Sequence, residues 1–132
     1  MKSIDEAKKE NSYNDRFRFR VWFSREKLYT HYAEANNAIV ISSLPTGATA
    51  EQCTSMKDKN GDLIYENDFV VKSDFNALGY ARTRICHVHW HKDWLCWAIT
   101  TKYGDTYQLS EFTSEQLEIS GNIHQDEDLL DD

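Results

Sequence analysis

The sequence has no run of apolar residues approaching the roughly 20 that a bilayer-spanning helix needs. No membrane span is therefore expected. Its first fifteen residues, MKSIDEAKKENSYND, also lack the apolar stretch of a signal peptide, which points to the cytoplasm of whatever cell makes it. Cysteines are few and odd in number: Cys53, Cys86 and Cys96 include no C-x-x-C pair. That spacing disfavours a structural disulfide and a catalytic thiol, and suggests reduced, packed side chains. Enzyme signatures are missing as well, with no G-x-S-x-G, G-x-x-x-x-G-K-[ST], G-x-G-x-x-G or H-E-x-x-H. Positive charge is outnumbered, 15 Lys and Arg against 22 Asp and Glu for a net charge of -7, which disfavours bulk attraction to a nucleic-acid backbone. No internal repeat or low-complexity segment is found.

What is present fits one folded domain. At 132 residues a single core is expected, and a content of 40% hydrophobic, 13% aromatic and 28% charged residues is a folded-protein balance that leans on rings. The negative charge is concentrated at one end. Asp126, Glu127, Asp128, Asp131 and Asp132 supply five of the last seven residues, leaving only -2 of the net -7 for the rest. Such a tail reads as a solvated end, or more sharply as a lure for a basic partner.

The stretch from Thr54 to Val71, TSMKDKNGDLIYENDFVV, organises the rest. Asn60-Gly61 accepts positive φ at both central turn positions, and Leu63-Ile64-Tyr65 after it has strand character. Asn67 then tolerates the left-handed conformation of a second corner. Asp58 and Asp62 flank the first corner, where aspartate serves backbone hydrogen bonding. Two corners within eight residues suit a small barrel.

The string Lys57-Asp58-Lys59-Asn60-Gly61 followed by Ile64-Tyr65-Glu66-Asn67-Asp68 resembles the hallmark of the phage and prophage YopX family, T-G-L-K-D-K-N-G-x-x-I-Y-E-G-D-I-V. Phe17-Arg18-Phe19-Arg20-Val21-Trp22 is similar to the family's opening F-R-A-W, and Gly121-Asn122-Ile123-His124 with Leu129-Leu130 is similar to its closing I-G-N-I-Y-E-N-P-E-L-L. The three motifs span about residues 16 to 130 in order. Ser55 and Met56 stand where Gly-Leu is usual, Asn67 replaces a glycine, and Gln125 to Asp128 replace the Glu-Asn-Pro-Glu turn. The resemblance implies an SH3-like barrel and a phage origin, and names no reaction.

Periodicity fills in the remaining elements. Arg16, Arg18 and Arg20 alternate with Phe17, Phe19 and Val21, so the phenylalanines face the core and Ser24 to Lys27 turn the chain into a partner strand at Leu28 to Tyr32. Ala38 to Ser43 reads as a strand ended by Pro45 and Gly47, and residues 45–52 as a loop or a helical turn. Phe69 to Ser73 is a strand and Asp74 to Gly79 a loop. Ile85 to Trp90 and Trp94 to Ile99 form a hairpin about His91-Lys92-Asp93, with Cys86, Val88 and Trp90 inward and His87, His89 and His91 outward. Tyr107 and Leu109 mark a short strand, Ser114 to Leu117 a helical turn, Leu117 to Ile119 the last strand, and Asp126 to Leu130 a final helical turn.

Three constellations are candidates for function. The three histidines share one face, and imidazoles about 6.5–7 Å apart along a strand can converge on a metal. No second ligand pair accompanies them, so hydrated or acid-paired surface histidines are favoured over metal ligands and no cofactor is expected. Arg16, Arg18 and Arg20, with Arg25 and Lys27 nearby, make a basic stripe of the kind that holds single-stranded nucleic acid, although such arginines more often pair with carboxylates on a neighbouring strand. Trp90, Trp94 and Trp97 either line a groove for a partner or fill the barrel interior, and small barrels are filled by side chains.

Taken together, the expected fold is mainly β, a small SH3-like barrel over about residues 52–125. A β-hairpin extension of residues 16–43 packs on it or on a second subunit, inside a single domain of residues 15–125. Short helical turns, a flexible arm at 1–14 and an acidic tail at 126–132 complete it. The expected function is a non-enzymatic phage or prophage accessory protein that binds a host or phage protein, with Arg16, Arg18, Arg20, Arg25, Trp94 and Trp97 as contact residues. The alternative is a nucleic-acid-associated protein of phage replication or gene control using the basic strand 16–20. Exposed strand edges also favour a homo-oligomer.

Overall fold

The computed structural model describes residues 3–6, 18–32 and 43–131. The strand expected from Ala38, most of the N-terminal arm and Arg16 lie outside them. The fold is mainly β, built as two antiparallel sheets, and the chain divides into two compact units, Met1–Ser55 and Met56–Asp132.

In the first unit, β1 (Phe19–Phe23) pairs with β2 (Leu28–Tyr32) on one side and with β3 (Ala48–Lys57) on the other. The polar tetrapeptide Ser24 to Lys27 makes the expected turn. The Lys27 amide donates to the Phe23 carbonyl at 2.7 Å, and Lys27 takes a φ of 55°. Of the loop or helical turn expected over 45–52, residues 45–47 turn as read, whereas 48–52 are the start of β3. Ala48 and Ala50 have little strand propensity, but β1 offers a full row of main-chain partners from Phe23↔Ala48 to Phe19↔Gln52, and pairing decides where propensity does not.

The second unit carries β4 (Leu63–Tyr65), β5 (Asp68–Phe75), β6 (Ala81–His91), β7 (Cys96–Thr101), β8 (Thr106–Gln108) and β9 (Leu117–Asn122). Its five-stranded sheet has the order β8-β7-β6-β5-β9 and curls into a half-barrel whose edges are β8 and β9. Alternation fills the inner face: Val70, Cys86, Val88, Ile99 and Leu117 are fully buried there with Ile64 and Leu109, and Trp97, Tyr107, Phe112 and Ile119 pack around them. Single 3-10 turns at Leu109–Glu111, Ser114–Gln116 and Glu127–Asp131 occupy the connections. β5 continues two residues beyond the expected end at Ser73, because Asp74 and Phe75 pair with Arg82 and Ala81.

The two hallmark corners form as read, with one difference. Only Gly61 takes a positive φ, 84°, at the first corner. The buried Asp58 carboxylate there accepts the amides of Asn60 and Asp62 through Oδ1 and of Ile119 through Oδ2, each at 3.0 Å. Three donors on one carboxylate tie the corner to β9. At the second corner Asn67 takes a φ of 70°, and the Asp68 carboxylate accepts the Tyr65 amide at 2.8 Å.

Candidate functional site

The inner face of the half-barrel carries an ion cluster that alternation produces directly. Lys72 and Asp74 follow Val70 on that face, and the register sets them opposite Arg84 and Arg82. Lys72 Nζ donates to Asp74 Oδ2 at 2.8 Å, and Arg82 Nε donates to Asp74 Oδ1 at 2.8 Å. The lysine is only 1% exposed. Its ammonium lies 4.7 Å from the centre of the Tyr107 ring and 5.6 Å from that of Phe112, so the negative ring faces supply what water does not. The hydrogen bond from Arg82, and then Lys72, holds the Asp74 carboxyl below the ordinary carboxylate value. Next along β6, burial pushes the Cys86 thiol up to about 11, which leaves it protonated and a poor nucleophile at neutral pH.

Beyond this cluster the β5–β6 hairpin presents apolar side chains to solvent. Phe75, Leu78 and Tyr80 are 71%, 81% and 69% exposed, yet the turn that bears them is ordered by its own hydrogen bonds. Asn76 Oδ1 accepts the amides of Leu78 and Tyr80 at 3.0 Å each, and the Asn76 amide donates to the Tyr80 carbonyl at 2.9 Å. Beside the same end of β6 lies an open cleft of about 530 Å³, floored by Val71, Ile85 and Leu129 and rimmed by Arg84, Lys102 and Tyr103.

The opposite end of β6 is aromatic. The turn occupies Lys92 to Leu95, one residue later than expected, with Leu95 at a φ of 54°. Trp94 therefore sits in the turn, where its ring stacks on His91 at 4.1 Å and its amide donates to His91 Nδ1 at 3.1 Å. Trp90 does not fill the interior. It is 47% exposed, because the packed core ends at the pair Val88↔Ile99 and the next inward pair, Trp90↔Trp97, stands at the open end of the half-barrel. Trp97 packs partly on the core and meets Trp90 edge-on at 5.4 Å.

His87, His89 and His91 do share the other face, with ring centres 5.7 and 6.1 Å apart. Each already has a partner. His87 Nε2 bonds to Asn67 Oδ1 at 2.9 Å, His89 Nε2 to Thr100 Oγ1 at 2.7 Å, and His91 to the Trp94 amide. Among the described residues no group of three His, Cys, Asp or Glu side chains converges as a metal site would require.

The arginine strand is divided by the structure. Arg20 is buried: its Nε donates to Glu51 Oε1 at 2.8 Å across the direct β1–β3 pair, and its guanidinium lies 4.3 Å from the centre of the Tyr29 ring. Tyr29 Oη donates to the same carboxylate oxygen at 2.9 Å. Arg18 and Arg25 are exposed, and Arg16 lies outside the described residues. The cross-strand carboxylate partner weighed for these arginines is realised at Arg20, which is thereby removed from the surface.

A family model described as YopX protein matches residues 4–131. The chain belongs to the YopX family. Among solved structures it is similar to protein EF1440 from Enterococcus faecalis, at 17% identity, covering 86% of this chain and 96% of that one, with a TM-score of 0.49. A comparison with curated proteins finds no match. The YopX pattern gives two of the observed backbone angles a context. Ser55 and Asn67 stand where the pattern has glycine, and both adopt left-handed backbone, with φ of 73° and 70°. In the closing motif of this YopX chain, a Cβ on Gly121 would lie 2.6 Å from Asp126 Oδ2, since that carboxylate folds back to accept the Asn122 amide.

Sequence reasoning missed the Lys72 cluster and the exposed hairpin tip. A lysine within a strand reads as solvent-facing. The signal that identifies it is the even spacing Val70, Lys72, Asp74, which puts opposite charges on one face beside a core position.

Proposed function

We propose that this YopX chain is a phage- or prophage-type accessory protein that acts by binding another macromolecule, a protein in preference to nucleic acid, and catalyses no reaction of its own. The observation that carries this reading is the concentration of exposed apolar side chains on ordered turns at the two ends of β6. Phe75, Leu78 and Tyr80 stand at one end, and Trp90, Trp94 and Leu95 at the other. Exposed aromatic and aliphatic groups on a fixed scaffold are what a protein partner buries as anchors.

Three considerations support it. The buried ionisable groups of the second unit are committed to structure, Asp58 to three amides and Lys72 to Asp74. The Cys86 thiol is held neutral. The basic strand of the nucleic-acid alternative has lost Arg20 to Glu51. Membership of the YopX family supports the phage context, and no helix among the described residues is long and apolar enough to cross a membrane. Pairing of a sheet edge with a second copy belongs to the same reading. The test is capture from infected-host lysate on immobilised protein, with and without nuclease. A protein retained after nuclease is the expected result, and recovery abolished by nuclease favours the nucleic-acid alternative.

A further inference from the structure

β6 is longer than the strand beside it. It pairs with β5 along Ala81 to His87 but with β7 only from Cys86 to His91. Residues 81–85 therefore have a strand on one side and, among the described residues, none on the other. The direction of the main chain follows from one hydrogen bond. The Val88 carbonyl is turned to the Asn67 amide at 2.8 Å, on the β5 side. Residues of the opposite parity, Thr83 among them, thus turn their main-chain groups to the β7 side, where β7 has ended. The Thr83 carbonyl is met there by Arg84 Nη1 at 2.9 Å, a side chain standing where a strand amide would otherwise donate.

The cleft lies along this edge, and its chemistry is selective. Arg84 and Lys102 carry positive charge at its rim, Tyr103 adds an aromatic face, and Val71 and Ile85 form an apolar floor; among the described residues no carboxylate lines it. The remaining apolar contact comes from Leu129, which belongs to the acidic 3-10 turn Glu127–Asp131. Glu127 and Asp128 of that turn are exposed.

We propose that the open edge of β6 and its cleft form a docking site for an extended acidic segment of a partner protein that carries an aliphatic anchor. The segment adds as a strand beside Ala81 to Ile85, its acidic side chains meet Arg84 and Lys102, and its aliphatic side chain takes the place of Leu129. Strand addition supplies main-chain hydrogen bonds, and the pocket beside the edge supplies side-chain selectivity. The chain's own C-terminal turn is then a resident competitor, which lowers the apparent affinity by the fraction of molecules whose cleft it fills. The proposal rests on the protein-binding reading above and names the chemistry of the partner.

The probe is a fluorescein-labelled synthetic peptide with the sequence of residues 124–132, HQDEDLLDD, titrated into the full chain by anisotropy. Leu129→Ser in the full chain should bind the peptide about tenfold more tightly than the unaltered protein, because the competitor is unseated. Adding Arg84→Glu and Lys102→Glu should weaken that binding by about tenfold or more. Should Leu129→Ser fail to fold, the unaltered protein titrated with unlabelled peptide serves in its place, with amide shifts expected at Thr83, Ile85 and Lys102. No binding, binding indifferent to the charge reversal, shifts confined to other strands, or displacement of the peptide by an oligothymidylate as readily as by unlabelled peptide would each overturn the proposal. A nuclease-resistant lysate partner captured equally well by the charge-reversed chain would remove this cleft while leaving the protein-binding reading in place.

Discussion

Lys72 and Asp74 stand two residues apart on β5 and close a 2.8 Å ion pair on the inner face of the half-barrel, with the lysine almost wholly buried. Replacing a buried charge by an apolar side chain of similar length is often neutral, whereas removing its partner strands it. Lys72→Met should therefore stay within about 1 kcal/mol of the unaltered protein, its aliphatic chain lying against Tyr107 and Phe112, while Asp74→Ala should cost about 3 kcal/mol. Urea denaturation measures both. Equal losses for the two variants would mean that the lysine charge itself holds the sheet.

The same carboxylate sets a pH dependence. Arg82, and then Lys72, hold the Asp74 carboxyl below its ordinary value of 3.8. A group whose folded pKa is depressed stabilises fully above its unfolded pKa, and that contribution disappears as pH falls through the folded value. Asp74 should thus contribute unchanged from neutral pH down to about pH 5 and lose its contribution below about pH 4. The stability gap between the unaltered protein and Asp74→Asn, measured by urea midpoint, should be constant from pH 7 to 5 and shrink at pH 3. A constant gap across that whole range would contradict it.

Asp58 is the most heavily used acceptor of the hallmark corner. Its removal in Asp58→Ala leaves the Asn60, Asp62 and Ile119 amides without their acceptor, and an unsatisfied buried donor costs about 1–3 kcal/mol. Asn60 and Asp62 are exposed, so water replaces part of the loss there; Ile119 is less accessible. A loss of about 2–4 kcal/mol is expected, with faster amide exchange at Ile119. Unchanged exchange at Ile119 would show that β9 holds its place without this bond.

Ser55 makes the opposite prediction. A non-glycine residue in the left-handed region costs about 1–2 kcal/mol, and part of that returns as unfolded-chain entropy when glycine is installed. Ser55→Gly, which restores the family pattern, should raise stability by up to about 1 kcal/mol. Asn67→Gly should gain less, since it also deletes the bond from Asn67 Oδ1 to His87. A loss of stability in Ser55→Gly would mean that its side chain matters more than its backbone angle.

Local chemistry was legible where a residue type has one use. Gly61, Asn67 and Asp58 mark the two corners because left-handed backbone and clustered amides select them, and the alternation of Cys86 and Val88 gave the inner face of β6. Tertiary context hid the rest. The first residues of β3 are strand because β1 pairs with them. Arg20 and Lys72 are buried because a carboxylate and a ring wait on the same face, and Trp90 is exposed because the sheet's core stops one pair earlier. None of these can be read from the period alone, since alternation says which residues share a face but not which face is covered or how far the covering extends.

The most direct measurement of the central claim compares capture by the unaltered protein with capture by a variant whose hairpin tip is made polar, Phe75→Ser with Leu78→Ser and Tyr80→Ser. These side chains are solvent-exposed, so the variant should keep the melting temperature of the parent. The account predicts that a protein recovered from nuclease-treated lysate in stoichiometric amount is lost or strongly reduced with this variant. Recovery that requires intact nucleic acid would contradict it, and undiminished recovery with the polar tip would remove this end of β6 as the anchor.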